Sequence, residues 1–295
     1  MTHAEVPVRA PFRLDLTADA LRRLAANVVD VVDEKGTYYR AFEDKKGSAV
    51  VAVTQTDAGD VEVRSTRDAA RFVPVIARML GTRVDLTEWY ERSARIAWLA
   101  RLAGAFKGVK PPRYATLWEA CAHAIVFQQI SIHAAGSIMR RAIEALATPV
   151  TAGGISCIPF PGPEKWLAAS EQQLRAAGLS GNKVGHLHSV AMAFAEGAVD
   201  EVTLEKLPTA EAAERLRGIR GIGPWSAAVI LLRGMGRLDT FPMRDSGVAR
   251  SVVLLAGEAV DLDFILETLG PARGMLYYHL LLGRIRNLSE APPGR

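Results

Sequence analysis

Short apolar runs with β-type composition crowd the amino-terminal part of this chain and then stop, and this change of pattern constrains the fold more than any other feature. FRLDL, GTYYRAF, SAVVAVTQ and VEVRS are separated by DEKG, DKKG and TDAGD. β-Branched and aromatic residues bounded by Gly/Asp-rich turns read as strands. ADALRRLAANVV, between the first two runs, has helical spacing. TRDAARFVPVIARML is a second helix, with Ala70, Val73, Ile76, Ala77 and Leu80 on one side despite Pro74. After about Leu86 the β signal almost disappears. The expected fold class is therefore α+β, with a small antiparallel α+β domain over residues 1–88 and a larger all-α region over 89–295.

The carboxyl-terminal region reads as a chain of helices. LTEWYERSARIAWLARLAGAF is the first; TLWEACAHAIVFQQIS follows, with Thr116 and Glu119 at capping-box spacing, and then IHAAGSIMRRAIEAL. TPVTAGGISCIPFPGP reads as a Pro/Gly loop. PEKWLAAS, EQQLRAAG, NKVGHLHSVAMAFAEG and AEAAERLRG return to helical spacing with glycine stops. With 295 residues, 49% of them hydrophobic, the chain can bury a full core. It contains no run of about eighteen uncharged apolar residues, and its first residues resemble neither a signal nor a transit segment. A cytoplasmic protein without membrane contact is expected. Cys121 and Cys157 are too few for a disulfide framework or a four-cysteine iron–sulfur or metal site. His123, His133, His186 and His188 lack ligand partners at metal spacing, so no metal, nucleotide or flavin site is expected.

LRGIRGIGPWSAAVILLRGMGRLDTFPMRDSGVAR, residues 216–250, carries the chemistry. Residues up to Arg217 make a helix, Gly218 to Gly223 a tight turn, and Pro224 to Arg233 a second helix. Pro224 sits in the first turn, where a missing N–H costs little. Gly221 and Gly223 have access to backbone angles closed to other residues, so the turn can present successive N–H groups beside a positive helix end, where a phosphate can bind. An ordinary helix–turn–helix corner is the alternative. The net charge of +4 permits a polyanionic partner without demanding one. A local excess of arginine, including Arg217, Arg220, Arg233, Arg237, Arg244 and Arg250, favours an anion at the turn.

The same stretch resembles the helix-hairpin-helix, Gly/Pro-rich loop and aspartate signature of the HhH-GPD DNA glycosylases, and is most similar to their 3-methyladenine DNA glycosylase II branch. TLWEACAHAIVFQQISIHAAGSI and LRAAGLSGNKVGHLHSVA resemble two further segments of that family, in the same order, and the amino-terminal unit resembles the extra domain of the branch. The resemblance implies two helical lobes with an active-site cleft between them, and double-stranded DNA with a damaged base as partner. It implies Asp245 as the catalytic carboxylate, Gly221, Ile222, Gly223, Trp225 and Ser226 as the DNA-binding hairpin, and Gln128, Gln129, Ile130 and Trp225 at the wedge and base pocket.

Cleaving an N-glycosidic bond builds positive charge on the sugar, which a nearby carboxylate stabilises. One carboxylate suffices when alkylation has already made the leaving base cationic. A helix N-cap is the other role open to Asp245. Asp239 is read as a turn residue. Where bifunctional relatives carry a lysine nucleophile, this chain has Trp225, and no lysine follows Lys206. A monofunctional enzyme of base excision repair, acting on an alkylated purine, is therefore expected. An oxidised-purine glycosylase with lyase activity and a non-catalytic DNA-binding protein are the alternatives. Ala272 stands in a late Pro-aromatic-Arg motif where relatives carry an aromatic residue; Tyr277, Tyr278 and His279 follow and are read as helix packing. No cofactor is expected beyond a monovalent cation on hairpin carbonyls, implied by the resemblance alone, and a monomer is expected.

Overall fold

The computed structural model describes residues 1–243, 245–257 and 259–286. Five antiparallel strands form a sheet in the order β1-β5-β4-β3-β2: β1 (Thr2–Val6), β2 (Asp30–Val32), β3 (Tyr38–Asp44), β4 (Gly47–Gln55) and β5 (Val61–Ser65). The runs read as GTYYRAF, SAVVAVTQ and VEVRS are β3, β4 and β5. FRLDL is not a strand; Leu14 opens helix α1 (Leu14–Arg22). Its alternating apolar residues belong to a helix buried on two sides. Leu14, Ala18 and Leu21 join the sheet's core, whereas Leu16 and Ala20 join a second apolar cluster.

Helix α2 (Val73–Met79) is preceded by a 3-10 turn at Ala69–Phe72, capped by Asp68. The next predicted helix breaks into α3 (Thr87–Ser93) and α4 (Ala97–Ala105). Then come α5 (Leu117–Val126), α6 (Ile132–Leu146), α7 (Pro163–Ala168), α8 (Glu171–Ala176), α9 (Gly181–Ala195), α10 (Glu201–Lys206), α11 (Thr209–Arg217), α12 (Pro224–Arg233), α13 (Ser246–Ala256), α14 (Leu262–Leu269) and α15 (Gly274–Ile285). Part of the expected Pro/Gly loop is a hairpin, β6 (Val150–Ala152) and β7 (Ile155–Cys157), turned by Gly153 and Gly154 at φ 58° and 82°. Two adjacent positive-φ residues give a turn whose twist matches that of the paired strands. The hairpin packs Ala152 and Cys157 against Ala41 and Val50 of the sheet. Among the described residues, no helix is long and apolar enough to cross a membrane.

One apolar cluster joins the sheet to α5, α9 and α12; the other gathers α3, α4, α13, α14 and α15. Two buried arginines tie these layers at points that matter for the site. Arg40 of β3, 2% exposed, donates to Asp30 of β2 at 2.6 Å and to Glu119 of α5 at 2.5 Å. Desolvation holds the Glu119 carboxyl above its usual range, and the Arg40 guanidinium pulls against that shift. Thr116 caps α5 as its spacing predicts, accepting from the Glu119 amide at 3.1 Å. The Glu119 carboxylate accepts from the Ala115 amide at 3.3 Å, one residue before the cap, and from Arg40. Arg233 of α12, fully buried, donates to the carbonyls of Ala20 and Leu21, and so caps the end of α1.

Candidate active site

The hairpin forms where the sequence places it. Gly221 has φ 98°, and a Cβ there would lie 2.5 Å from the Cβ of His186, so both backbone angle and packing require glycine. Gly223 differs from expectation: at φ −90° and ψ −177° it is extended, a conformation open to any residue. As the residue before α12 it supplies no side chain to cap the helix, so the first-turn amides of α12 keep their donors for a ligand. Ile222 is buried in the core and Ser226 is buried under the turn.

The turn after α5 is bound directly to this hairpin. Gln128 Nε2 donates to the Gly221 carbonyl at 2.9 Å and to Ser226 Oγ at 2.8 Å. Gln128 therefore fastens two loops together. Gln129 follows with φ 57°, unusual for a residue with a Cβ. Gln129 is exposed, and Ile130 is 39% exposed, a large apolar side chain left in solvent. Lys183 Nζ donates to the carbonyls of Val126 and Gln128 at 2.7 and 2.9 Å, closing the end of α5.

Asp245 lies 20 residues beyond Trp225 and opens α13. Its Oδ1 accepts from the amides of Gly247 and Val248 at 2.8 and 3.0 Å, so it is the N-cap that its position also suggested. Its Oδ2 accepts from Trp225 Nε1 at 3.0 Å. Of the roughly four acceptor positions of an ionised carboxylate, three are filled, and the group is half-buried in a fixed orientation. Gly247 permits a close approach, since a Cβ there would lie 2.6 Å from Nη1 of Arg284.

These residues line one cleft of about 830 Å³, with Gln128, Gln129 and Ile130 on one wall, Gly223, Trp225 and Ser226 on a second, and Asp245, Tyr277, Leu281 and Arg284 on a third. Arg23 and Phe127 also line it. Arg23 was missed at the sequence level; it lies in the amino-terminal part and reaches the cleft only through the fold. Tyr278 and His279 are wholly buried, as expected of packing residues, but Tyr277 faces the cleft and accepts from Arg23 Nη2 at 3.1 Å. Ala272 is buried and does not line it. Asp239 borders a separate depression with Asp263 and Arg273.

The arginine excess also resolves differently from expectation. Arg233 is spent on carbonyls inside the fold, Arg217 pairs with Glu214 at 2.5 Å, and Arg237 donates to the carbonyls of Leu204, Glu205 and Leu207. Arg250 lines the cleft, and Arg244 lies outside the described residues. Charge counted along the sequence thus overstated what faces an anion, because a guanidinium caps a carbonyl as readily as it meets a phosphate.

Residues 122–258 match the model of the HhH-GPD superfamily base excision DNA repair proteins. A DNA-3-methyladenine glycosylase of Bacillus subtilis is 28% identical over 171 residues, 58% of this chain and 56% of the relative, so the match spans little more than half of that protein. The 3-methyladenine DNA glycosylase of Archaeoglobus fulgidus shares the fold at TM-score 0.79 and 24% identity, over 97% of this chain and 99% of its own. A Clostridium acetobutylicum 8-oxoguanine glycosylase/lyase bound to double-stranded DNA does so at TM-score 0.77 and 19% identity, over 97% and 99%. The hairpin and the Asp245 carboxylate both lie within residues 122–258, the stretch that matches the HhH-GPD superfamily of base excision DNA repair proteins.

Proposed function

We propose that this protein is a monofunctional DNA glycosylase that extrudes an alkylated purine from duplex DNA and hydrolyses its N-glycosidic bond, with Asp245 as the catalytic carboxylate. The observation that carries this reading is the carboxylate itself, fixed by two helix amides and by the Trp225 indole that follows the hairpin, on the wall of the cleft. A preoriented carboxylate stabilises the positive charge that grows on the sugar and orients the attacking water, with little reorganisation during the step. The relative named DNA-3-methyladenine glycosylase supports the substrate class.

Reaching a base inside a duplex requires extrusion and a group to fill the gap. The exposure of Gln129 and Ile130 beside the cleft supports that role for them, and the uncapped turn before α12 supports a phosphate site. The carbonyls of Ile219 and Gly221 each accept one hydrogen bond and keep a second lone pair, so these two would help to hold a monovalent cation at the hairpin, adding positive charge to the phosphate grip. A lyase lacks its nucleophile: Trp225 replaces the hairpin lysine, and Lys183 is bound to two carbonyls and does not line the cleft.

The test is release of free bases from methylated duplex DNA by the wild type and by Asp245→Asn, followed by a separate alkali step. Methylated purines released by the wild type alone, with strand breaks only after alkali, are expected. Covalent trapping on DNA by borohydride would overturn the monofunctional reading, and equal release by both proteins would remove Asp245 from the chemistry.

A further inference from the structure

We infer that Arg23 stabilises the leaving base, and that it extends the reaction to neutral purines bearing a carbonyl acceptor on the exposed edge. The inference rests on the glycosylase reading above. Arg23 is the residue after α1, held at φ 62° in the left-handed region. Its place is fixed from behind, since Arg233 binds the carbonyls of Ala20 and Leu21 at the end of the same helix. Its guanidinium lies 4.8 Å over the Phe127 ring and donates through Nη2 to Tyr277 Oη at 3.1 Å. Arg23 is 7% exposed, and among the described residues it has no ion-pair partner.

Arg40 and Arg233 resemble it in leaving Nε without an acceptor. Arg40, however, carries two carboxylates and Arg233 two carbonyls, and neither lines the cleft. Arg23 does line it, together with Asp245. A desolvated cation with no counter-ion is costly to keep, and an acceptor delivered by a ligand offsets that cost. Its burial sets it inside the cleft, away from the exposed surface that a phosphate backbone would meet. Arg250 and Arg284, the other arginines of the cleft, are exposed.

The chemistry separates two kinds of substrate. A purine methylated on the ring leaves with the bonding electron pair neutralising its own positive charge, and gains nothing from a nearby cation. A neutral purine leaves with that pair as negative charge spread to its carbonyl oxygen and ring nitrogens. In both cases the C1′–N9 bond breaks, the oxygen of water bonds to C1′, and one water proton leaves by way of Asp245 or solvent. For the neutral purine that proton ends on the released base. Arg23, donating to the acceptor edge, stabilises the charge as it forms, while Asp245 does the same for the sugar. Towards a cationic base the same guanidinium is repulsive.

The experiment compares two probes in the same duplex sequence, hypoxanthine (neutral, with a carbonyl) and 7-methylguanine (cationic), under single-turnover conditions with wild type and Arg23→Gln. The expected result is release of both bases by the wild type, and a fall in hypoxanthine release at least about 100-fold greater than any fall in 7-methylguanine release, the lower end of the range found for removing one charge-stabilising donor. Equal falls for both bases would overturn the inference and leave the glycosylase reading standing, as would a wild type that releases 7-methylguanine but no hypoxanthine. Release of neither base would count against the glycosylase reading itself. Binding to a duplex with an abasic analogue reports folding without a base for Arg23 to touch. Should Arg23→Gln lose that binding, Tyr277→Phe, which removes the hydroxyl that orients Nη2, is measured in its place, with a loss selective for hypoxanthine expected and an equal loss overturning the inference.

Discussion

Arg40 and Arg23 are both shut away from solvent, at 2% and 7% exposure, yet their surroundings are opposite. Arg40 meets two carboxylates from two different elements and welds the sheet to α5. Arg23 meets a hydroxyl and a ring face at the edge of the cleft, with no ion-pair partner among the described residues. A buried charge whose partners are all internal serves the fold, whereas one facing a cleft with its partners unfilled serves a ligand. The same division separates α5's buried Glu119, turned to Arg40, from Asp245, which lines the cleft.

Mutations at the two regions should therefore separate rate from stability. The largest effect is expected from Asp245→Asn: base release slows on the order of 10³-fold, with abasic-duplex affinity nearly unchanged and about 1 kcal/mol of stability lost, because asparagine caps a helix about as well as aspartate but turns a donor towards the Trp225 indole N–H. Asp245→Ala removes the cap as well and costs about a further 1 kcal/mol by chemical denaturation. Arg40→Met is the mirror case. It leaves Asp30 and Glu119 buried without their cation and destabilises by about 3–5 kcal/mol, while the rate per folded molecule holds. A rate defect in folded Arg40→Met, or a large stability loss in Asp245→Asn, would break the distinction.

Gly221→Ala sits between the two regions. It forces a side chain into φ 98° against His186 and is expected to cost about 1–3 kcal/mol while weakening duplex binding irrespective of the base. Calorimetry and a salt titration of affinity would check both. The smallest effect is on pH. His279, packed on Trp89 at 4.6 Å between ring centroids, is held neutral by burial with its pKa pushed down to about 4 from the ordinary 6.5. The unfolded chain takes up that proton first, so stability is complete above pH 6.5 and declines as pH falls from there towards 4. His123, also lowered well below its ordinary value by burial, adds to the decline. Denaturation midpoints for His279→Leu should show a flatter slope across that window, and an unchanged slope would exclude His279 as a contributor.

The hairpin and the Asp245 turn were legible because each is local: glycine and proline punctuate the turn, and a cap residue precedes an apolar run. Arg23 was illegible because its hydroxyl partner is 254 residues away and the helix end that carries it is bound by Arg233, far along the chain. FRLDL misled because a helix buried on both sides shows alternation as readily as a strand does. β1 is an edge strand bonded only to β5, with a polar sequence, and β2 has three residues, so neither offered a pattern to read. The β6–β7 hairpin did carry a signal, Gly-Gly between Val150, Ala152 and Ile155, Cys157, which the surrounding prolines obscured.

Gln128 joins the turn carrying Gln129 and Ile130 to the turn carrying Gly221, through two hydrogen bonds from one side-chain nitrogen. On the proposed reading, probing the stack and gripping the strand are then geared to each other. On that reading too, the number of nucleotides between the extruded base and the phosphate on the hairpin is a constant of the protein, so its footprint on a tight-binding lesion analogue keeps one offset whichever base is flipped.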